Sequence, residues 1–277
     1  MNKRAAKAII NKDIRAIGSN IQLWLPMLIV PLVFSLVLPL VLVLPARFTD
    51  LSTMGNIEQI VKLFSKLSSG PLQETIMALP LAQQQIVYFT VNYLFAPFFL
   101  IIPLMVASII GANSFAGEKE RKTLETLLFA PLDLNTLLWA KILAAFLPAT
   151  FLTLICSFLY GITVNIAAYP LFGRIIFPEV NWLLLLLWVT PALSLGAVFV
   201  NVFISAKVKG FQEAFQLSGL VILPVLGLFI GQLSGVLLVN SIFLWWSGAV
   251  LWLIDFLLVR KCGRFLNRNQ LFTSQVS

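Results

Sequence analysis

Residues 87–112 read VYFTVNYLFAPFFLIIPLMVASIIGA, a run of 26 residues without a charged side chain. A helix needs roughly 20 mostly apolar residues to cross the ~30 Å hydrocarbon layer of a bilayer, because each residue rises ~1.5 Å. This run is therefore long and apolar enough to span a membrane. Six stretches of the chain meet the same criterion, namely 22–45, 87–112, 134–160, 181–205, 216–237 and 241–259.

The composition of the whole chain agrees with a membrane location. Of its 277 residues, 60% are hydrophobic and 11% are charged, and the mean hydropathy is +0.97. Soluble domains carry about 25% charged residues. Because the deficit extends along nearly the whole length, a soluble protein behind a cleavable signal peptide is excluded. The predicted fold class is an all-α integral membrane protein with six transmembrane helices, in a single domain over residues 1–277.

Basic residues are distributed unevenly among the loops between these spans. The positive-inside rule places loops rich in Lys and Arg on the cytoplasmic side. The spans put 15 of the 19 basic residues on one face and leave four on the other, Arg47, Lys62, Lys66 and Arg174. A multi-pass protein of the plasma membrane with both termini in the cytoplasm is therefore expected. Nucleic acid is not an expected partner, because the basic residues lie between apolar runs rather than in a polar stripe.

Two segments outside the spans show helical periodicity. Residues 1–20 are predicted to form an amphipathic helix in the membrane interface, in contact with lipid. Its apolar face consists of Ala6, Ile10, Ile14, Ile17 and Ile21. The predicted extracytoplasmic loop, residues 46–86, contains a second apolar face, expected to cover the outer mouth of the protein or to fill space over the bundle. Its members are Ile57, Ile60, Val61, Phe64 and Leu67.

Glycines and prolines within the spans predict where helices pack closely and where they bend. Gly227, Gly231 and Gly235 recur at four-residue intervals in the fifth span and predict close packing against a helix of this chain or of a second copy. Prolines inside the spans each remove a backbone hydrogen bond and predict bent helices. They are Pro26, Pro31, Pro39, Pro97, Pro103, Pro148, Pro191 and Pro224.

The most highly charged segment lies between the second and third spans. Residues 117–133 read GEKERKTLETLLFAPLD, and helical spacing pairs Glu118 with Lys122 and Arg121 with Glu125. Pro131 is predicted to stop this helix and Asp133 to cap the next one. The residues alone are consistent with a charged connection between two spans or with a docking helix for a soluble partner.

This segment resembles the first cytoplasmic loop of the type 2 ATP-binding cassette exporter permeases. That loop typically begins with Glu-x-Glu and continues Thr-x-Glu-x-Leu-Leu-x-x-Pro. Residues 205–224, SAKVKGFQEAFQLSGLVILP, are similar to the second cytoplasmic loop of the same family and the helix that follows. The interfacial helix, the six spans and the internal termini also agree, so the resemblance covers nearly the whole chain.

The resemblance implies a permease that exports its substrate as a dimer, with a second copy or a sister permease and two cytosolic ATPase subunits. In that family the helix in the first loop contacts the ATPase and transmits its movement to the spans, so residues 114–133 are expected to be a cytoplasmic coupling loop. The matching coupling positions are Glu118, Glu120, Arg121, Thr123 and Glu125. The chain lacks the phosphate-binding motif G-x-x-x-x-G-K-[ST]. It is therefore expected to bind no cofactor itself, with ATP-Mg on the partner subunit.

Charge inside the spans is the usual sign of a substrate or ion path, and Asp255 is the main candidate here. Because it lies near Arg260 and Lys261, snorkelling to the interface is favoured over a substrate contact. The scarcity of such charge favours an amphipathic or apolar substrate, such as a drug, a peptide or a lipid. Sodium efflux and resistance to antimicrobial peptides remain open within the same type of assembly.

Two other classes of protein fit less well. A multi-span enzyme needs a nucleophile beside a base, or a metal site, and the chain has no histidine and only two cysteines, Cys156 and Cys262. A secondary transporter driven by an ion gradient normally has acids or broken helices at mid-membrane, which Asp255 alone does not provide. The chain is therefore predicted to be a transport subunit rather than an enzyme.

Overall fold

The computed structural model describes residues 3–48, 71–129, 133–234 and 239–265, and these parts of the chain form helices and no strands. The all-α fold class is confirmed. The helices are α1 (Lys3–Gly18), α2 (Ile21–Phe48), α3 (Pro71–Met77), α4 (Ala82–Glu120), α5 (Leu124–Phe129), α6 (Leu134–Phe172), α7 (Val180–Lys207), α8 (Phe211–Gln232) and α9 (Ser241–Phe265).

Six of these helices, α2, α4, α6, α7, α8 and α9, are long and apolar enough to cross a membrane, in agreement with the six predicted spans. Because six spans alternate in direction, α1, the connections on either side of α5 and the α7–α8 turn share one membrane face, which we name the terminal side. The α6–α7 connection lies on the opposite face, the distal side. The predicted amphipathic segment around Ile57–Leu67 lies outside the described residues.

The central helix is α4. In its most apolar stretch 78% of the residues are buried inside the protein, against 17% for α8 and for α9. It packs closely on α7, because Gly111 of α4 lies directly against Asn201. Next to this contact, Ser205 Oγ accepts hydrogen bonds from the backbone N–H groups of Phe115 and Ala116, at 2.9 and 2.8 Å.

Prolines interrupt three spans in the same way. Each of these spans contains a π-helical turn, at Val33–Val37 in α2, Thr90–Leu94 in α4 and Leu185–Val189 in α7. The position four residues before Pro39, Pro97 and Pro191 falls inside the respective turn. A proline ring clashes with the carbonyl at that position and offers it no N–H. The wider π-helical turn separates the ring from this carbonyl.

The π-helical turn of α4 has carbonyl groups that three neighbouring helices satisfy. Inside a bilayer no water is available, so backbone groups freed by a proline need partners in the protein. The hydrogen bonds, each 2.9 Å long, run from Tyr160 Oη to Val91 O, from Trp182 Nε1 to Asn92 O and from Gln232 Nε2 to Tyr93 O. The donors belong to α6, α7 and α8, so this turn positions three spans around α4.

Helix α1 buries one side against the spans of the protein. The residues of α1 that are buried are Ala6, Ile9 and Ile17. The helix packs against α6. Ile14 of the predicted apolar face is 41% exposed, so it is available for the predicted contact with lipid, and that contact stays a prediction.

At Gly227, the predicted glycine face of the fifth span meets no other helix of the described chain, and its packing against a second copy stays a prediction. No atom lies within 4 Å of the position that a Cβ on Gly227 would occupy. Gly235 lies outside the described residues. The side of α8 that carries Gly227 is therefore left open.

The contact between α4 and α7 yields a prediction about stability. A Cβ on residue 111 would lie 2.7 Å from Asn201 Cβ, closer than two carbons can pack. We expect Gly111→Ala to lower the free energy of unfolding by about 1–3 kcal/mol, the usual cost of overpacking. Gly219→Ala is the control, because no atom lies within 4 Å of its Cβ position. Equal unfolding temperatures of the two purified variants in detergent would contradict the predicted contact.

Candidate functional site

The last turn of α4 directs three consecutive side chains to three different parts of the structure. Consecutive side chains of an α-helix diverge by about 100°, because the helix has 3.6 residues per turn. Glu118 contacts α1 and α6, Lys119 contacts the end of α7, and Glu120 contacts the start of α8. We refer to these three residues as the charged turn. Through it, one end of α4 is joined to four other helices.

Glu118 is the buried member of the charged turn, with 9% of its surface exposed. Its carboxylate accepts hydrogen bonds from Lys12 Nζ of α1 and from Thr123 Oγ1. Lys141 Nζ of α6 lies 3.8 Å from Glu118 Oε1. Removing a charge from water costs several kcal/mol unless an opposite charge compensates it. These ion pairs therefore hold α1, α4 and α6 in one arrangement.

Lys141 supplies the most deeply buried charge of this cluster, with 1% of its surface exposed. Its Nζ lies 3.5 Å from Asp13 Oδ2, donates to the carbonyl of Ser114 at 2.5 Å and stands 5.1 Å from the ring centre of Phe115. Lys141 is one of the 15 basic residues that the sequence places on the side of the termini. It is enclosed by the helices, because two carboxylates compensate its charge.

Lys12 closes the cluster from the side that faces solvent. Its Nζ lies 3.5 Å from Asp13 Oδ1 and contacts Glu118 Oε1. Burial alone would lower the pKa of the Lys12 ammonium group. The hydrogen bond and charge of Glu118, together with Asp13, outweigh that effect and raise this pKa above its ordinary value. Lys12 is therefore charged at neutral pH.

Lys119 and Glu120 join α4 to the α7–α8 turn. Lys119 Nζ donates to the carbonyls of Ala206 and Val208, at 2.8 and 2.9 Å, and so satisfies groups at the end of α7. Glu120 Oε1 accepts from the backbone N–H of Phe211, the first residue of α8, at 2.8 Å. A carboxylate stabilises a helix N-terminus in this position. The two segments that resemble the two cytoplasmic loops of the permeases are therefore in direct contact.

The charged segment does not form one continuous helix. Lys122 has a φ of 57°, which ends α4 before α5 begins. The predicted pairs of Glu118 with Lys122 and of Arg121 with Glu125 are therefore wrong, and neither is a salt bridge in the described part of the chain. The interruption removes the helical register that these pairs require.

The remaining predicted coupling residues lie at the surface. Arg121, Thr123 and Glu125 are exposed, and Arg121 lines a cavity of about 430 Å³ between α1, α4, α5 and α6. Asp133 precedes α6 as predicted, but its side chain makes no capping hydrogen bond. Of the five predicted coupling positions, Glu118 is buried in ion pairs and the other four are exposed.

Asp255 is buried between α9 and α7. The residue is 2% exposed, and it packs against α7 where Gly196 leaves room for its carboxylate. Its Oδ2 has no hydrogen-bond partner among the described residues. The expected snorkelling is not observed, and Arg260 lies over the ring of Phe256 instead. A substrate contact for Asp255 stays a prediction.

Asp13 was not predicted as a site residue, although the sequence of α1 contains a signal for it. Ile9, Asp13 and Ile17 are four residues apart and share one face of α1. A carboxylate within an apolar face predicts a buried partner of opposite charge. The partner of Asp13 is Lys141, a cation that lies within an apolar span.

Six apolar helices define a multi-pass membrane protein, and a cluster of ion pairs on its terminal side joins α1, α4 and α6. A family model described as ABC-2 family transporter protein matches residues 48–253, well over half of the chain. The chain belongs to this family, whose members are the membrane subunits of ATP-binding cassette transporters and generally work with ATP-binding subunits. No curated protein and no solved structure matches the chain.

The ion-pair cluster predicts a strong effect of one neutralising substitution. Glu118→Gln leaves the buried Lys141 with Asp13 as its remaining carboxylate, and breaking a buried pair in this way costs about 3–5 kcal/mol. Glu125→Gln changes an exposed carboxylate and is expected to alter stability by less than about 0.5 kcal/mol. The unfolding temperatures in detergent test this difference.

A second variant separates the ion pair from other causes of instability. Adding Lys141→Met to Glu118→Gln removes the buried ammonium group and is expected to restore part of the lost stability. A double variant that is less stable than Glu118→Gln alone would contradict the pairing.

The burial of Asp255 predicts that replacing it by an apolar residue raises the stability of the protein. Asp255→Leu replaces a buried group that has an unpaired oxygen, whose burial costs roughly 1–3 kcal/mol. We expect the unfolding temperature in detergent to rise. Glu213→Leu, on the exposed surface of α8, is the control and should give no rise. A fall in stability for Asp255→Leu would mean that the carboxylate has a partner that stabilises it.

Proposed function

We propose that the chain is the membrane-spanning subunit of an ATP-driven exporter, with ATP-Mg bound by two separate ATPase subunits on the terminal side. The charged turn carries this proposal. It connects an exposed loop, where a soluble partner has access, to α1, α6, α7 and α8 through side-chain contacts. A charged linker with no mechanical role would not need these contacts.

The terminal side is proposed to face the cytoplasm, in the plasma membrane. The unequal distribution of basic residues supports this orientation, since 15 of 19 were assigned to this face from the sequence. Lys141 is buried rather than in a loop. Removing it from the count leaves the imbalance large, so the orientation does not depend on it.

The proposed mechanism begins at the exposed residues Arg121 and Glu125. Their charges suit contact with a polar protein surface. When the ATPase subunits close, they would displace this loop together with the end of α4. Because Glu118 is paired with α1 and α6, and Glu120 with α8, these helices would follow the displacement. Rigid-body movement of packed helices is a common form of such transitions.

The functional assembly is proposed to contain two permease chains, either two copies of this one or this one with a sister chain. The side of α8 that carries Gly227 supports this proposal, because no atom of the described chain covers it. Small residues at four-residue intervals allow helices to approach closely in lipid. The low burial of α8 within a single chain has the same explanation.

The substrate is proposed to be amphipathic or apolar, such as a drug, a peptide or a lipid. A cavity of about 450 Å³ lies between α4, α7, α8 and α9, and it is lined almost entirely by apolar side chains. Leu193, Leu228 and Phe243 are among them. Apolar cavities stay dry and accept apolar groups. Sodium efflux would need a cluster of oxygen ligands, and this cavity does not offer one.

The coupling proposal predicts which variants lose the ATPase partner. Arg121→Ala and Glu125→Ala remove exposed charges, and each is expected to weaken partner binding by about tenfold, because a charged contact is lost without a change in the fold. The tagged chain is purified in mild detergent, and soluble proteins that accompany it are identified by mass spectrometry. We expect a stoichiometric partner that carries the phosphate-binding motif.

Arg47→Ala is the control, because Arg47 lies in the last turn of α2 on the distal side and cannot reach the same partner. Stability is measured for every variant, so that loss of binding is distinguished from loss of folding. If Arg121→Ala and Glu125→Ala both retain the partner at full occupancy, the segment is only a linker between two spans. Transport activity by the chain alone, driven by an ion gradient, would overturn the proposed function.

A further inference from the structure

A polar pocket lies on the distal side, between α4 and the α6–α7 connection. Tyr88, Arg174 and Glu179 line this cavity of about 330 Å³. Tyr88 Oη donates a hydrogen bond to Glu179 Oε1 and so orients the carboxylate. Arg174 is exposed and forms no salt bridge with any residue that the structure describes. An anion and a cation therefore line one pocket, and each can still accept a charged ligand group.

An apolar groove of about 450 Å³ lies next to this pocket, between α6 and α7. Phe158, Ile162 and Ile166 of α6 form one wall, and Leu183 and Leu186 of α7 form the other. Phe158 and Ile166 are 70% and 71% exposed, so the groove opens to the surroundings of the bundle, which at this depth are hydrocarbon. The α6 side of the groove extends from about 9 Å below the distal end of α6, at Ile166, to about 27 Å below it, at Leu154, at ~1.5 Å per residue.

The polar pocket and the apolar groove share two residues, Phe177 and Pro178. Asn165 of α6 holds this shared wall in place. Its Nδ2 donates to the carbonyl of Phe177 at 2.7 Å, and its Oδ1 accepts from the backbone N–H groups of Ile176 and Phe177 at 3.1 Å. Gly161 leaves room for the ring of Phe177, since a Cβ there would lie 2.8 Å from that ring.

We propose that the pocket and the groove together bind one phospholipid of the distal leaflet, whose headgroup carries both a phosphate and a primary ammonium group. The guanidinium of Arg174 would bind the phosphate, and the carboxylate of Glu179 would bind the ammonium. One acyl chain would occupy the groove, because an apolar space of this size excludes water and is filled by hydrocarbon.

Charge complementarity distinguishes this ligand from others that contain the same groups. A phospholipid without an amine would leave Glu179 without a charged partner beside the bound phosphate. A soluble phosphate compound would leave the groove unfilled. A lipid with both charges and an acyl chain satisfies the pocket and the groove at once. This site shares no residue with the charged turn.

The experiment uses the full-length chain in nanodiscs that contain a phosphatidylethanolamine with a photoreactive diazirine on its acyl chain. After illumination, labelled peptides are identified by mass spectrometry. We expect labelling to concentrate on residues 154–166 and 183–186. A phosphatidylglycerol with the same photoreactive chain is expected to label these residues about tenfold less, because it lacks the charged contact with Glu179.

Two kinds of variant test the two parts of the site. Arg174→Gln and Glu179→Gln are each expected to reduce labelling by the ethanolamine lipid about tenfold. Arg47→Gln, at another distal arginine, should leave it unchanged. Ile162→Trp fills the groove and should abolish labelling. Ile155→Trp is its matched control, because both isoleucines are in α6 and are 42% exposed, and Ile155 does not line the groove.

Labelling that is equal for the two headgroups, or spread evenly over all lipid-facing peptides, would overturn the proposal and reduce the groove to general contact with the bilayer. Labelling that survives Ile162→Trp would do the same. Because binding rather than transport is measured, either result leaves the proposed export function untouched.

Discussion

Inside a bilayer no water is available to satisfy backbone groups, and α4 is the helix on which this constraint acts most strongly. Pro97 interrupts it in the middle of the bundle, and a π-helical turn accommodates the proline. The carbonyls of the turn accept hydrogen bonds from Tyr160, Trp182 and Gln232, which belong to three other spans. An interruption that would destabilise a lone helix in lipid thereby determines how α6, α7 and α8 are arranged around α4.

The terminal end of the same helix is held by charges instead. Burial removes the charges of Glu118 and Lys141 from water, and this loss must be compensated by an opposite charge. The ion pairs of Glu118 with Lys12 and Lys141 supply that compensation. Lys119 and Glu120 then extend the connection to the α7–α8 turn. Because α4 is held at its π-helical turn and at its terminal end, force applied to the terminal loops would be transmitted along this helix to the neighbouring spans. This arrangement suits the proposed coupling to an ATPase outside the membrane.

The α6–α7 connection forms a separate site on the distal side of the protein. Asn165 fixes the backbone of residues 176–177, so that Phe177 forms a wall between a polar pocket and an apolar groove. Water meets hydrocarbon at this depth, and a site with one charged and one apolar part matches molecules that are themselves amphipathic. The proposed lipid ligand and the proposed amphipathic substrate share this chemistry, although they occupy different parts of the chain.

The sequence by itself determined the number of spans, their approximate positions and the charged segment that resembles a coupling loop. Hydrophobic length is a local property, and a window of about 20 residues contains all the information that it requires. Tertiary structure alone decided the role of each charge. Glu118 and Glu120 are two residues apart and equally charged, yet one is buried in ion pairs and the other stabilises the start of α8. The pairing of Asp13 with Lys141 depends on which helices become neighbours, and no local pattern specifies which distant helices will meet.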